Sequence, residues 1–387
     1  MRVSATSLIL LVPFSLAAFT HPGLLHTASE FTFVASKVAS GAQPWTTGFA
    51  KLTANSHSAS TYTARPVATV YRGASSLGTE NYSLLFNDMA AAYALALRWK
   101  ISGDTTYAAA AAAVIDAWSS TLTEISGSSD KFLAAGLYGF QFANAVEILR
   151  GYSAWTGFAA AKEVLLDVFY PMNRNFLLNH NGAAIDHYWA NWDLCNIASA
   201  IAIGVVADNQ TIYDEAIEYF YHGAGNGAIE NAIWKVYTGA DAGLAQLQES
   251  GRDQGHTMLV VGMLGTIAKM AGSQGLDLFG YLDNRILKGA EYAAKYNLGN
   301  DVPYTTYTNS DVTQTVIAPA SRGDIRPIWE LLYNQYAKKK GLAAPWTTQY
   351  AALVRTNGSG SEGGGGNYGP NSGGYDQLGY GTLMFSL

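Results

Sequence analysis

The sequence contains very little cysteine and few charged residues, and both shortages restrict what the chain can be. Cys195 is the only cysteine among 387 residues, so no intrachain disulfide can form and the fold must be stabilised by its core. Asp, Glu, Lys and Arg together make up only 13% of the residues. The net charge of −6 argues against a nucleic-acid partner, which would need a basic surface.

Several well-known catalytic and cofactor motifs are also missing. The chain has no HExxH, no CxxC pair, no G-x-S-x-G elbow and no P-loop. We therefore expect no metal, no redox cofactor and no nucleotide, and we do not expect a serine hydrolase. Strand-like alternation of apolar and polar residues is scarce, which argues against a β-rich fold.

Aromatic residues and glycine are abundant, at 12% and 40 residues respectively. Met1 to Ala18 has a positive start, an apolar centre and a small-residue end, so we predict a signal peptide and a secreted, extracellular protein. No later stretch reads as long and apolar enough to span a membrane. Sequons at Asn81, Asn209 and Asn357 would allow glycosylation. This composition is typical of secreted proteins that handle carbohydrate.

Helical periodicity begins near Tyr82 and continues along most of the chain. Apolar stripes at helical spacing run over 85–99 and 111–122. Further helices are predicted at 134–150, 159–169, 186–206, 212–222, 254–271, 284–296, 324–339 and 345–354. Helices joined by short Gly, Ser and Asp turns form hairpins that must stack. No fixed repeat appears, so we predict an all-α fold, an incomplete α/α toroid, as a single domain over 19–387.

The glycine-rich segment 357–374 interrupts this pattern near the C-terminus. It is followed by YGTLMFSL, which is apolar enough to pack against the body of the protein. We predict a long surface loop and then a docked C-terminus.

The stretch NHNGAAIDHYWANWDLCN combines polar and aromatic residues immediately before an apolar run. The predicted helix 186–206 would place His187 one turn from Asn191 and Tyr188 one turn from Trp192. Polar rows beside aromatic walls suit a sugar-binding site. Ordinary core packing of the aromatic residues and a structural role for His187 are the alternatives.

A second cluster lies in LQESGRDQGHT, with Glu249, Arg252, Asp253 and His256 at positions i, i+3, i+4 and i+7. A helix that began near Gly251 would carry all four on one polar face, with the positive end of its dipole toward an anion. The alternative is that Arg252 pairs with Glu249 or Asp253 on a solvated surface.

A third group is the polar segment DVPYTTYTNSD, which contains Tyr304 and Tyr307 and precedes Arg322. Tyrosines in such a loop can stack on sugars at the rim of a cleft. They can also transfer protons if a nearby cation lowers their pKa.

With these residues in view, the chain resembles polysaccharide lyase family 38 of the alginate lyase superfamily. The resemblance is carried by NHNGAAIDHYWANWDLCN, QESGRDQGHT, HPGLLHT and YGFQFANAVEILRGY, the last of which contains Asn144. It implies an α/α toroid and eliminative cleavage of 4-linked uronic-acid polymers. It therefore implies an anionic polysaccharide as partner, and we expect a monomer that binds neither nucleic acid nor membrane.

The resemblance also implies roles for individual residues. Asn191 would contact and neutralise the uronate carboxylate, supported by Arg252 and His187. His256 would belong to the acid and base machinery together with a tyrosine, for which Tyr307 is the first choice. Further substrate contacts are expected from Asn144, Tyr188, Trp192, Tyr304, Glu249 and Arg322.

Two other functions remain open at this point. A glycoside hydrolase on the same fold would use paired carboxylates, such as Asp186 or Asp193 with Glu249. A non-catalytic uronan-binding protein would use the aromatic residues for stacking alone. The sequence does not decide among glucuronate, mannuronate and guluronate, which differ by epimerisation at single carbons.

Overall fold

The computed structural model describes residues 18–387, so the predicted signal peptide lies outside the described residues except for Ala18. The α-helices of this part of the chain are α1 (Ala28–Ala39), α2 (Trp45–Ala54), α3 (Tyr82–Ser102), α4 (Thr105–Ser119), α5 (Lys131–Leu149), α6 (Phe158–Val164), α7 (Tyr170–Asn179), α8 (Ala190–Val206), α9 (Gln210–His222), α10 (Ile229–Ala232), α11 (Gln254–Ser273), α12 (Tyr281–Asn297), α13 (Trp329–Tyr333), α14 (Pro345–Asn357) and α15 (Gly381–Phe385). Wider π-helical turns at Leu165–Phe169 and Asn334–Lys339 continue α6 and α13.

In the part of the chain that the structure describes, three small sheets accompany the helices, and the sequence pattern did not predict them. Strand β1 (Thr69–Arg72) pairs in parallel with β2 (Glu124–Gly127), in the register Thr69 to Glu124. The antiparallel pairs are β3 (Lys235–Val236) with β4 (Ala245–Gln246), and β5 (Tyr307–Thr308) with β6 (Thr313–Gln314).

The helices form hairpins arranged as an α/α toroid, which confirms the predicted all-α fold. Helices α3, α5, α8, α11 and α13 are neighbours along an inner layer, and the chain returns on the outside through α4, α7, α9, α12 and α14. The inner helices supply most of the core; every residue of α8 is buried, for example.

Neighbouring inner helices run parallel and pack closely. A Cβ on Gly136 of α5 would overlap Cys195 of α8, and one on Gly139 would overlap Ser199. In each contact the two residues are about equally far from the first residue of their own helix. The N-terminal ends of α5 and α8 therefore lie at the same end of the ring. Cys195 is fully buried, and burial raises the pKa of its thiol.

Several helices begin where local capping signals predict. Asp104 accepts a hydrogen bond from the backbone of Thr106 at 2.9 Å, and Asn209 caps α9 in the same way. Helix α3 ends at Gly103, which adopts φ of 75°, a left-handed conformation that favours glycine.

Three other helices are capped by buried glutamates that are distant in sequence. The Glu249 side chain accepts from the backbone of Asn191 in α8, and Glu291 accepts from two backbone groups at the start of α14. Glu362 accepts from the backbone of Trp329 and Glu330 in α13. These contacts satisfy first-turn N–H groups that have no partner within their own helix. Burial raises the pKa of both Glu291 and Glu362.

The glycine-rich segment differs from its prediction. It has little regular structure, but Ser361–Gly365 is buried rather than on the surface, because Glu362 reaches the start of α13. The C-terminus docks as predicted, since Leu383 and Met384 of α15 are buried against α1, α2 and α13. This contact joins the last hairpin to the first.

Some helix starts need correction. Helix α8 begins at Ala190 rather than near 186, and α13 begins at Trp329 rather than 324. Helix α11 begins at Gln254, as the predicted range 254–271 has it, so the alternative start near Gly251 that would have carried Glu249 and Arg252 on its polar face does not occur. Helix α5 is long and apolar enough to cross a membrane by length and composition alone, which the sequence reading had missed. Its apolar window is 94% buried in the ring, as expected of a core helix.

Candidate active site

The predicted polar clusters meet at the N-terminal ends of α8 and α11. At the centre lies Glu249, which is fully buried in a short turn, Gln248–Gly251, before α11. Its Oε1 accepts from the backbone N–H of Asn191 at 2.8 Å and from Asn191 Nδ2 at 2.7 Å. Its Oε2 accepts from Arg252 Nη1 at 2.9 Å. One carboxylate therefore fixes both the amide and the guanidinium.

Arg252 is the more accessible of the two groups that Glu249 holds. Its side chain is 25% exposed, whereas Asn191 is only 1% exposed. The guanidinium also stacks on the Trp189 ring at 4.8 Å, which fixes its plane. Arg252 can thus present N–H donors to an anion in the cleft. Because Glu249 itself is buried behind them, the structure gives it a positioning role instead of the predicted substrate contact.

His256 stands in the first turn of α11, next to Asp253. Asp253 caps this helix by accepting from the backbone of His256 at 2.8 Å, and its other oxygen lies 2.6 Å from His256 Nδ1. Burial favours a higher pKa for Asp253, but the hydrogen bonds from His256 outweigh it and the pKa is lowered. An ionised Asp253 favours a proton on Nδ1, so Nε2 carries the lone pair in the neutral form of the imidazole. The His256 side chain is 39% exposed.

Tyr307 is joined to the start of α8 through the side chain of Gln248, which contacts both. Gln248 Nε2 donates to the Tyr307 hydroxyl at 3.1 Å, and the hydroxyl donates to Asn226 Oδ1 at 3.3 Å. Gln248 Oε1 in turn accepts from the backbone of Ala190. Burial raises the pKa of Tyr307, so the phenol carries its proton at neutral pH. The hydroxyl thus holds a proton that it can give up, but no nearby cation lowers its pKa among the described residues, and burial makes it a weaker acid than a free tyrosine.

Tyr304, from the same loop, also approaches the cluster. Its hydroxyl lies against Gly251, where a Cβ would overlap it, and donates to the backbone oxygen of Gln314 at 3.3 Å. Burial raises the pKa of Tyr304 to about 12. Both tyrosines of the loop are thus within the candidate site, and both are protonated at neutral pH.

Aromatic residues form one wall beside these polar groups. Tyr188 packs on Trp192 at 4.7 Å between ring centroids, and Phe176 stacks behind them. His187 is on the rim, 41% exposed, with Nδ1 3.6 Å from Asp311. Because α8 begins only at Ala190, His187 and Tyr188 precede the helix, and the predicted helical rows with Asn191 and Trp192 do not form.

Two residues expected to bind substrate lie elsewhere. Asn144 is in the C-terminal half of α5, 2% exposed, where its Oδ1 accepts from the backbone of Leu25 at 3.0 Å. Arg322 donates to the backbone oxygens of Tyr296 and Asn300. Both side chains hold backbone segments in place, so the structure does not bring them into the site.

Within residues 18–387 no group of three or more His, Cys, Asp or Glu side chains is arranged to hold a metal ion. Ionisable groups at the site are instead joined in pairs and small networks.

Comparison with known proteins gives the same type of enzyme. The family model for alginate lyase matches residues 75–302. The chain belongs to the alginate lyase family. The matched region contains α3 to α12 and every element of the candidate site except the segments that follow residue 302. This membership makes the protein a polysaccharide lyase with an anionic polysaccharide ligand.

Solved alginate lyases share the fold of this lyase at low sequence identity. The Bacteroides ovatus enzyme gives a TM-score of 0.58 at 14% identity, covering 86% of this chain and 96% of that one. Alginate lyase A1-III from Sphingomonas species A1 gives 0.53 at 13% identity, covering 87% and 93%. A tyrosine-to-phenylalanine variant of A1-III complexed with tetrasaccharide gives 0.51 at 15% identity, covering 74% and 81%. No curated protein matches the chain.

The carboxylates that a glycoside hydrolase would need are already committed in this lyase. Asp193 is buried and its Oδ1 lies 2.9 Å from His180 Nε2, while Glu249 holds Asn191. Asp186 binds the backbone of Ser310 in the tyrosine loop. None of the three is left as a free acid facing a sugar, so the geometry agrees with the lyase family.

Sequence reasoning overlooked three contributors to the site: Gln248, Asn226 and Asp253 as the partner of His256. Gln248 lies next to Glu249, so the motif itself contained the signal. Asn226 gives no comparable signal, because the loop 223–228 reaches Tyr307 only through the fold.

Proposed function

We propose that this lyase is secreted and cleaves 4-linked uronic-acid polymers, glucuronan or alginate rich in mannuronate, by β-elimination. The observation that carries the proposal is the buried Glu249, which holds Asn191 and Arg252 together at the mouth of the inner ring. A charged donor fixed in this way is what the reaction needs first. Removal of the C5 proton places negative charge on the adjacent carboxylate, which must be stabilised as it develops.

We assign the contact with that carboxylate mainly to Arg252, with Asn191 in support. Arg252 is partly exposed and planar, and it can donate two parallel hydrogen bonds to a carboxylate. Asn191 uses its amide N–H on Glu249 and lies deeper, so it reinforces the geometry more than it reaches outward.

The proton transfers are assigned to His256 and Tyr307. Because Asp253 favours a proton on Nδ1 of His256, the lone pair of Nε2 is available to take the C5 proton. The protonated phenol of Tyr307 gives a proton to the O4 atom as the C4–O4 bond breaks. Electrons from the C5–H bond form the C4–C5 double bond, so the balanced products are an unsaturated uronate end and a new hydroxyl end. Tyr304 is the second choice for the acid.

The relatives offer supporting analogies for this proposal. A tyrosine variant and a histidine variant of alginate lyase A1-III were each complexed with a tetrasaccharide, in structures that share this fold. The resemblance of the sequence motifs to polysaccharide lyase family 38 keeps glucuronan beside alginate as a candidate substrate. We further propose that the enzyme acts as an extracellular monomer.

A substrate panel tests the proposal. Purified full-length mature chain is incubated with polymannuronate, polyguluronate and glucuronan, and the ultraviolet absorbance of unsaturated ends is followed. We expect a rise with at least one polymer, and product masses without added water. Products that have gained water, or no reaction with any uronan, would overturn the proposal.

The tyrosine assignment has its own test. Tyr307→Phe is expected to lower kcat by roughly 100-fold or more, the range for loss of a general acid, with little change in KM. Tyr304→Phe is the matched control from the same loop, with an expected loss below about tenfold. If the Tyr304 variant is the more damaged of the two, the roles are reversed.

A further inference from the structure

Arg72 is a second guanidinium at the same end of the ring, and it differs from Arg252 in having no carboxylate partner within residues 18–387. It ends strand β1, opposite Gly127 of β2, and thus lies between the starts of α3 and α5. Its Nη1 donates to the Tyr138 hydroxyl at 3.0 Å. Across residues 18–387 this is its only side-chain hydrogen bond, and it forms no ion pair there.

Two tyrosine rings hold this guanidinium in place. Its central carbon lies 5.0 Å from the ring centroid of Tyr82 and 5.6 Å from that of Tyr138. Tyr138 is fully buried, whereas Tyr82 and Arg72 are partly exposed. The charge is therefore fixed on an aromatic support, with most of its five N–H donors unused by the described protein.

Other arginines near the cleft are already neutralised. Arg252 pairs with Glu249, and Arg326 pairs with Asp324 at 3.1 Å and Asp376 at 3.0 Å. Asp376 and Asp130 both act on Arg72 electrostatically and partly balance its charge, but neither forms an ion pair with it in the described chain. Most of the N–H donors of Arg72 therefore stay available for a carboxylate that a ligand brings.

A line of charged groups connects Arg72 with the candidate active site. Gly255, next to His256, lies close to Arg326, since a Cβ on Gly255 would be 3.5 Å from Arg326 Nη2. Arg326 donates to Asp376, and Asp376 acts electrostatically on Arg72. Arg72 approaches the ring from β1 and contacts α5, whereas Asn191 stands at the start of α8 on the next inner helix. The two groups are thus held by different neighbouring helices.

Resting on the proposed function, we infer that Arg72 binds the carboxylate of another uronate in the same polymer chain. Its planar fork accepts both carboxylate oxygens, and the exposed face of Tyr82 contacts the sugar ring. The subsite holds the anionic chain along the floor of the cleft. It contributes to affinity and to the preference for polymer over short fragments, and it takes no part in the bond-breaking step.

The test compares Arg72→Ala with Arg98→Ala. Arg98 is a matched control: it is also partly exposed, stacks on Tyr107 at 4.0 Å and forms no ion pair in the described chain, but it lies near the C-terminal end of α3. Initial rates are measured on the best uronan of the panel at low and high salt. Arg72→Ala should raise KM roughly tenfold or more, the size expected for a lost charged hydrogen bond, while kcat stays within about twofold.

The salt dependence of KM separates a ligand-binding role from a structural one. Loss of a cation that meets the polyanion should weaken the rise of KM with salt, and a packing defect would not. Arg98→Ala should change neither value. An unchanged KM in Arg72→Ala, or an equal change in Arg98→Ala, would overturn the subsite.

Arg72→Lys covers the case in which the alanine variant fails to fold. Lysine keeps the charge and the stacking but loses the fork, so KM should lie between those of wild type and alanine. A wild-type KM in a folded lysine variant would contradict carboxylate binding by the fork. If the wild-type chain cleaves no uronan, the proposed function fails. In that case calorimetry of wild type and Arg72→Ala with mannuronate and glucuronate oligosaccharides measures binding alone. Weaker binding by Arg72→Ala would support the subsite, and equal binding would overturn it.

Discussion

The two ends of the toroid differ in how their charges are used. At the C-terminal ends of the inner helices, a groove of about 830 Å³ lies between α1, α11 and the C-terminus. Its lysines include Lys269, whose Nζ is 2.7 Å from Glu30, and Lys340, which pairs with Asp277. At the N-terminal ends, Arg252 is partly exposed on its buried partner Glu249, and Arg72 bonds only the Tyr138 hydroxyl among the described residues.

This difference shows that volume alone does not mark the site. The N-terminal end gathers the positive ends of the inner-helix dipoles together with guanidinium groups, and both favour an anion. The C-terminal end gathers helix carbonyls, and its lysines Lys269 and Lys340 are paired with carboxylates of the protein itself. The expectation is that substitutions at the N-terminal end change catalysis, whereas those at the C-terminal end change stability.

The largest effect is expected from Arg252→Ala. Loss of the donor that stabilises the developing carboxylate charge should lower kcat/KM by roughly 100- to 1000-fold. Arg174→Ala, which removes a surface pair with Glu215, is the control and should leave activity unchanged. The measurement is the initial rate on the best uronan, with thermal unfolding recorded for each variant. A folded Arg252→Ala enzyme with near-normal activity would remove Arg252 from the mechanism.

A smaller effect is expected from Glu249→Gln. The glutamine retains an acceptor for Asn191 but loses the charge that orients Arg252, so kcat should fall roughly 10- to 100-fold with little change in KM. Glu249→Asp keeps the charge on a shorter side chain and should retain more activity than the glutamine variant. A large rise in KM with unchanged kcat would instead indicate direct substrate contact by Glu249.

The smallest effect is expected from a substitution of His21, at the C-terminal end of the inner helices. It should change stability and leave activity unchanged. His21 contacts Glu147 at 2.6 Å and Asp208 at 2.9 Å, and hydrogen bonding to Glu147 raises its pKa, although burial opposes the shift. A raised histidine pKa stabilises the fold fully below the unfolded value of 6.5, and this contribution is lost as pH rises through the folded pKa.

His21→Gln should therefore lower the free energy of unfolding by about 1 kcal/mol or less near pH 5.5, and less near pH 8.5. Chemical denaturation at the two pH values measures this difference. Activity should be unchanged, since His21 is at the far end of α5 from the site. A loss of activity in the folded variant would break the proposed division between the two ends.

Local sequence signals predicted the parts of the fold that depend on local contacts. The 3.6-residue apolar period identified most helices, and side chains such as Asp104 cap their own helices through local contacts. The candidate site was partly predictable for the same reason. Glu249, Arg252 and His256 are close in sequence, so their proximity required no knowledge of the ring.

The start of α8 was not predictable in this way. Its first N–H groups are satisfied by Gln248 and Glu249, which lie 58 residues further along the chain. Nothing local fixes Ala190 as the first helical residue, and the aromatic residues before it resemble a helix by spacing alone. The burial of the glycine-rich segment around Glu362 was unpredictable for the same reason. Glu362 caps α13, which is distant in sequence, and this contact buries a segment that resembles a surface loop.

The sequence by itself determined an all-α chain of stacked hairpins, with its ionisable and aromatic residues concentrated in a few short motifs. Tertiary structure decided which of these motifs meet: it joined Asn191 to Glu249, brought Tyr307 to Gln248, and placed Asn144 and Arg322 elsewhere. It also left Arg72 without a carboxylate partner among the described residues. Hydrophobic period is a property of neighbours in sequence, but pairing of buried charges depends on which helix ends the closed ring brings together.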